Sequence, residues 1–342
     1  MRDHGGVVFV DIERRGVRIQ AVLDASVLPS RLRELWRLTD IGDIVSVEGE
    51  LVRTRRGEVS VEVDDWVMAA KTLRPLPARG SVLDARTRTR ERVVQFLTDP
   101  TSLDLLRMRS RALAEVRAVL GEKGFLEVET PMLHAVKGGA NARPFITHYN
   151  AYSTDVFLRI APELFLKRLA VAGMDAIFEM GRSFRNEGAD STHNPEFTSL
   201  EAYRAGADYT TMRHLTQELI QRAARAVNGR CVCLRPVGTP GTEGLARVAR
   251  IDGTDLAAVD LSGDWPVVTV HEAVSRAVGR TVTPDTPVGE LTDLCHGHGI
   301  DLPAVSDEGA LVGALYDALV EARTVHPTFY TDFPKSSSPL TR

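Results

Sequence analysis

Apolar and polar residues alternate in the opening stretch of the chain. VVFVDIER and VRIQAVLD flank a basic turn at Arg14-Arg15-Gly16, and IVSVEGELVR and EVSVEVDDWVMAA flank another at Arg55-Arg56-Gly57. Period-two alternation interrupted by glycine and charge predicts strands joined by turns. Between the two pairs, Leu32, Leu35 and Leu38 recur at helical spacing. Residues 1–78 therefore read as strand, strand, short helix, strand, strand. Residues 79–105 are arginine-rich and lie around Pro77 and Pro100, which predicts a solvated linker or hinge.

From residue 106 the pattern becomes helical. Leu106, Leu113, Val116, Val119 and Leu120 fall near one stripe, and Gly124 supplies a common residue just past a helix end. FLEVETPML then predicts a strand broken by proline, GGANARPF (138–145) a flexible loop, and DVFLRI a second strand. APELFLKRLAVAG predicts a helix with Glu163 in its first turn, where a carboxylate suits the helix dipole. Another helix follows Asp208, and residues 230–270 are turn-rich and weakly patterned. HEAVSRAVG, VGELTDLCHGHG and ALVGALYDALVEARTV are helical pieces, and HPTFYTDFPKSSSPLTR reads as a strand, a turn and a stop.

The stretch with the most chemistry runs from Phe178 to Tyr203. FEMGRSFR and EFTSLEAY read as two strands around the turn-forming NEGADSTHNP, with Gly188, Asp190, Ser191, Asn194 and Pro195. Alternation gives Phe197, Ser199, Glu201 and Tyr203 one shared face. Charges inside half-buried strands are costly unless they bind something. An arginine fork suits a phosphate or carboxylate, and paired carboxylates suit an ammonium ion. A solvated hairpin with surface ion pairs is the competing reading, because such pairs are common and nearly neutral.

FRNEG followed by HNPEFT resembles the second signature motif of class II aminoacyl-tRNA synthetases, in the form found in lysyl-tRNA synthetases. GFLEVETPML resembles the first class II motif, and GGANARPFITHYNAYSTDVFLRIAPELFLKRL resembles the segment between the two motifs in that family. The resemblance implies an α+β chain. An incomplete N-terminal OB-fold β-barrel over 1–78 would grip the tRNA anticodon. A hinge would follow at 79–105. A class II antiparallel sheet flanked by helices would fill 106–342, with a helical insertion around 230–325. It implies ATP-dependent activation of L-lysine and transfer to tRNA(Lys), a homodimer built through the first motif, and a cytoplasmic protein that uses Mg2+.

The same resemblance implies roles for single residues. Arg185 would bridge the α-phosphate of ATP and the lysine carboxylate. Glu187 would contact the adenosine portion, His193 and Asn194 the phosphates and the adenine edge, and Phe197 would stack on adenine. Glu163, Glu201 and Tyr203 would bind lysine, with Gly139 lying beside its backbone. No match to the family's third motif is found, nor to the acidic strand carrying its magnesium ligands. The catalytic domain is therefore expected to lack a C-terminal piece, and the barrel its first strand. The chain is then either part of a longer ligase or a paralogue without catalysis that binds nucleic acid or regulates. Stand-alone paralogues that modify a translation factor lack the barrel, and the strands in 1–78 argue against them.

Composition narrows this little. With 342 residues, of which 43% are hydrophobic, the chain can bury a core in roughly two domains. A net charge of −4 requires any basic surface to be local. Three cysteines, Cys231, Cys233 and Cys295, are too few for a disulfide framework and fit a reducing compartment. With His296 and His298 they lack the spacing of a familiar zinc motif. No apolar run approaches the roughly 20 residues of a membrane span, and the start is no signal peptide.

Overall fold

The computed structural model describes residues 2–14, 17–77, 81, 83–190, 193–239, 242, 244–245, 247–251 and 254–338. Arg15, Gly16 and Ser191 of the turns above, and the last four residues, lie outside them. The chain divides into two compact units, Met1–Arg107 and Met108–Arg342.

The first unit contains β1 (Arg2–Asp3), β2 (Val7–Arg14), β3 (Val17–Asp24), α1 (Ser30–Arg37), β4 (Ile44–Arg53) and β5 (Val59–Ala70). They form one sheet of order β1-β2-β3-β5-β4, antiparallel except for the parallel β3–β5 pair. Val8, Ala21, Leu23, Val63 and Trp66 from the strands close on Leu32 and Trp36 of α1, so the alternation and the helical stripe meet in one core. At Gly49, beside a register shift in β4, a Cβ would overlap the Glu62 carbonyl, so only glycine lets the two strands approach. At the edge of the sheet a two-residue β1 pairs with Val8 and Phe9, in keeping with the expected incomplete barrel. No pairing joins β1 to β4 among the described residues, so the OB-fold sheet stays open rather than closing into a barrel.

The arginine-rich stretch holds two short helices, α2 (Ala85–Arg90) and α3 (Arg92–Thr98), and α4 (Pro100–Glu122) follows. Asp84 caps α2 by accepting from the Thr87 N–H at 2.9 Å. Asp99 accepts from the Thr101 N–H at 3.0 Å and the Ser102 hydroxyl at 2.7 Å, so α4 starts six residues before its apolar stripe does. Gly124, at φ +81°, leaves it.

The second unit continues with β6 (Leu126–Glu127), β7 (Leu133–His134), β8 (Ile146–Tyr149), β9 (Thr154–Leu158), α5 (Glu163–Val171), β10 (Ala176–Phe184), β11 (Glu196–Arg204) and α6 (Tyr209–Asn228). β10 and β11 form the long antiparallel hairpin, with β6 parallel to β10. Its helix-facing side buries Phe178 and Ala202 against Val119 and Leu120 of α4 and Leu215 and Leu219 of α6. The opposite side carries the polar residues, and α5 lies against both strands.

Residues 230–270, weakly patterned in the sequence, hold strands. β12 (Val232–Pro236), β13 (Arg247–Ile251) and β14 (Thr254–Asp260) form a sheet of order β12-β14-β13. Leu256 and Ala257 of β14 are buried in adjacent positions and Val259 is buried beyond them, which hides the two-residue period. The expected helical insertion is thus mixed. β15 (Val267–Thr269) pairs in parallel with β16 (Phe329–Thr331). Between them α7 (Val270–Val278), α8 (Val288–Gly297) and α9 (Glu308–Leu319) enclose a core of Val274, Leu291, Cys295, Leu311, Val312 and Leu315. Cys295 is therefore a core residue, its thiol pushed up by burial. Among the described residues no three Cys, His, Asp or Glu side chains converge as a metal site, and no helix is long and apolar enough to cross a membrane.

Candidate active site

The β10–β11 register sets the site. Glu179 faces Glu201, Gly181 faces Ser199, and Ser183 faces Phe197, all on the side away from α4 and α6. The Ser183 and Ser199 hydroxyls meet at 2.9 Å. The predicted common face of Phe197, Ser199, Glu201 and Tyr203 is thus the polar face of the hairpin.

At one end, the Tyr203 hydroxyl donates to Glu201 Oε2 at 3.0 Å. Burial raises the Glu201 pKa, and the charges of Glu163 and Glu179 push it further up. Tyr203 is raised by burial and then by the Glu201 and Glu163 charges. Glu163 therefore lies within electrostatic reach of both. It sits in the first turn of α5 and accepts from Lys167 Nζ at 2.6 Å, an ion pair of the partly exposed kind that contributes little. Gly139, at φ +91°, has a backbone that a Cβ would bring to 3.2 Å from Glu163 Cβ and 3.3 Å from Ala161 Cβ. Four of the residues singled out in the sequence, Gly139, Glu163, Glu201 and Tyr203, are neighbours.

At the other end, the Arg185 guanidinium lies 5.1 Å over the Phe197 ring. Its Nε is buried and has no hydrogen-bond partner. A buried donor left unmade is expensive, so an acceptor is wanted here. The Arg185 N–H donates to the Pro195 carbonyl at 2.8 Å, closing the base of the loop. The Asn186 N–H donates to the Arg143 carbonyl at 2.7 Å, and the Arg143 N–H to Glu187 Oε1 at 3.2 Å. The 138–145 loop is thereby tied to the hairpin loop. His193 and Asn194 are exposed, and the His193 ring meets the Asp190 carboxylate at 2.9 Å. The two ends lie four residues apart along β11, about 13 Å at 3.3 Å per residue.

The sequence reading passed over the floor of the site. Arg159, 1% exposed, pairs with Glu179 and donates from Nε to the Arg182 carbonyl at 2.7 Å. Thr130 donates to the second Glu179 oxygen at 2.6 Å. A Cβ at Gly181 would overlap the Arg159 guanidinium, so glycine there makes its seat. The available signal was one cation in the apolar run VFLRI and one anion in IFEM. Nearby His134 is buried against Phe165 at 4.8 Å, and burial lowers its pKa.

Folded Glu201 has a pKa above its unfolded value. Its favourable contribution is complete below the unfolded pKa and is lost as pH rises through the folded one. Glu201→Gln is therefore expected to melt above the parent chain at pH 8, with the gap closing by pH 4. Equal melting differences at the two pH values would show that Glu201 titrates normally.

The comparisons with known proteins agree with this architecture. A family described as tRNA synthetases class II (D, K and N) matches residues 84–342, and an OB-fold nucleic acid binding domain matches residues 1–69. Similar curated proteins are the lysylphosphatidylglycerol biosynthesis bifunctional proteins LysX of Nocardia farcinica, 49% identical, Rhodococcus opacus, 48%, and Mycobacterium tuberculosis, 46%. Each similarity covers 100% of this chain but only 29%, 30% and 29% of those relatives, so the chain spans less than a third of their length. An OB-fold unit followed by a hairpin with one face packed on helices and the other polar, matched over 84–342, places the chain in the class II tRNA synthetases of the D, K and N group.

Proposed function

We propose that this chain activates L-lysine with ATP and passes the lysyl group to tRNA(Lys). One observation carries the reading. The hairpin carries an acidic pocket at Glu201 and Tyr203, beside Glu163 and Gly139, and, about one substrate length away, an arginine over an aromatic ring whose buried Nε has no hydrogen-bond partner. The acidic pocket takes the lysine ammonium. A neutral side chain would leave the half-buried Glu201 charge without a counter-charge, which is the source of selectivity. Gly139 leaves room for the amino-acid backbone. Arg185 Nε and its fork take the lysine carboxylate and the α-phosphate, and Phe197 stacks on adenine when the guanidinium shifts onto the nucleotide. Glu187 reads the adenosine portion, and His193 and Asn194 reach the phosphates and the adenine edge.

The lysine carboxylate then attacks the α-phosphorus in line and pyrophosphate leaves; a ribose hydroxyl of the terminal adenosine of tRNA then attacks the lysyl-adenylate carbonyl, forming the ester and releasing AMP. Little proton transfer is involved, so orientation and charge neutralisation do the work. The OB-fold unit would hold the tRNA. The family uses ATP with Mg2+, and among the described residues no three His, Cys, Asp or Glu side chains converge as a ligand set for the ion. The relatives are named for lysylphosphatidylglycerol biosynthesis. A lysyl ester made here is the kind of activated donor that such lipid modification consumes.

Leu126, Met132, Leu133, Val136 and Ile146 are exposed around β6–β8, which supports a second copy packing there. Sedimentation is expected to give a dimer at micromolar concentration, and a monomer would remove that part of the reading. The function itself is tested by lysine-dependent ATP–pyrophosphate exchange on the purified chain. Exchange with lysine and not with alanine supports it. No exchange with retained tRNA binding leaves only a binding role.

A further inference from the structure

Glu179 and Glu201 stand directly opposite each other on the polar face, an arrangement that by itself disfavours two negative charges. Glu179 is 4% exposed and faces a fully enclosed cation rather than solvent. The guanidinium of Arg159 fits because position 181, between Glu179 and Ser183 on the same face, carries no side chain. It is anchored from two further directions, by the Arg182 carbonyl and by Thr130. Glu201 is faced by Tyr203 on its own strand, by Glu179 on β10, by Glu163 on α5 with its partner Lys167, and by Arg159 after β9.

We propose that Arg159, seated in the space at Gly181, is a charge-setting positioning residue. By neutralising Glu179 it leaves Glu201 free to be ionised toward the incoming substrate ammonium. Neither Arg159 nor Glu179 touches the substrate. The inference rests on the reading of Glu201 as an ammonium site and adds what holds that site in its binding protonation state. Lysine affinity then has an acid limb governed by Glu201, and the Arg159–Glu179 pair decides where that limb lies.

Calorimetric titration of the full chain with L-lysine from pH 5 to pH 9 tests this. Arg159→Met is expected to move the acid limb up by about one pH unit, a tenfold weaker Kd below it, with affinity recovered at high pH. Adding Glu179→Gln to that variant removes the second charge and is expected to bring the limb back. Gly181→Ala keeps every charge but displaces the guanidinium, so the limb moves up again. The double variant and Gly181→Ala leave no buried Glu179 without its cation entirely removed, so they carry the test if Arg159→Met does not fold. An unmoved limb in Gly181→Ala, or a double variant that fails to return it, overturns the inference. Glu201→Gln separates this from the underlying reading. If it binds lysine as tightly as the parent chain, the ammonium site itself is wrong. If it loses lysine while the Arg159 and Gly181 variants keep the parent limb, only the charge-setting role falls.

Discussion

Arg185→Ala is expected to reduce lysine-dependent pyrophosphate exchange by about 10²–10³-fold, the range for removing one preorganised donor to a developing charge. The physical case rests on the buried Nε without a partner and on the ring beneath the guanidinium. A buried donor of this kind takes its acceptor from ordered water or from a ligand, and in a polar cleft an anionic ligand supplies one. Arg185→Lys is expected to recover little, because an ammonium cannot span a carboxylate and a phosphate as the planar fork does. The fold does not depend on this side chain, so the variant's melting temperature should stay within a few degrees of the parent. Near-normal exchange in Arg185→Ala would refute its role.

Glu201→Gln is expected to raise the lysine KM by roughly 10²-fold while the ATP KM moves by less than about twofold, in line with truncating one member of a buried charge pair. The substitution keeps the shape and the Tyr203 hydrogen bond and removes only the charge. Glu163→Gln should act in the same direction but less, since Glu163 already holds Lys167 in a partly exposed ion pair. Equal losses for lysine and ATP would count against an ammonium site. Exchange kinetics at varied lysine and then at varied ATP distinguish the two.

The hairpin was readable before its structure because turn chemistry, alternation and motif all point the same way from Phe178 to Tyr203. So was the open OB-fold sheet, whose second strand turns Val8, Val10 and Ile12 to the core at a period of two. The sheet at 232–260 was not. β14 buries neighbouring residues on both faces and so shows no period, and its partners are five-residue strands. The early start of α4 was hidden because Asp99 and Ser102 begin the helix by capping, while the apolar stripe begins later. At the site, the residues that would touch a ligand stood out as charges in apolar strands. Arg159 did not, because its meaning depends on Glu179, twenty residues away, and on the missing side chain at 181. Spacing along one strand carries no sign of such a cross-element contact.

The hydrogen bonds from the Asn186 N–H to the Arg143 carbonyl, and from the Arg143 N–H to the Glu187 carboxylate, have a thermodynamic corollary. They stitch the 138–145 glycine loop, beside the proposed lysine pocket, to the hairpin loop proposed to cover the nucleotide, so on that reading fixing either loop prepays part of the ordering of the other. Each ligand then sharpens the affinity for its companion, and linkage requires the two enhancement factors to be equal. Lysine titrations with and without a non-hydrolysable nucleotide, set against nucleotide titrations with and without lysine, measure both factors, and a value of one for either would show that the two loops respond independently.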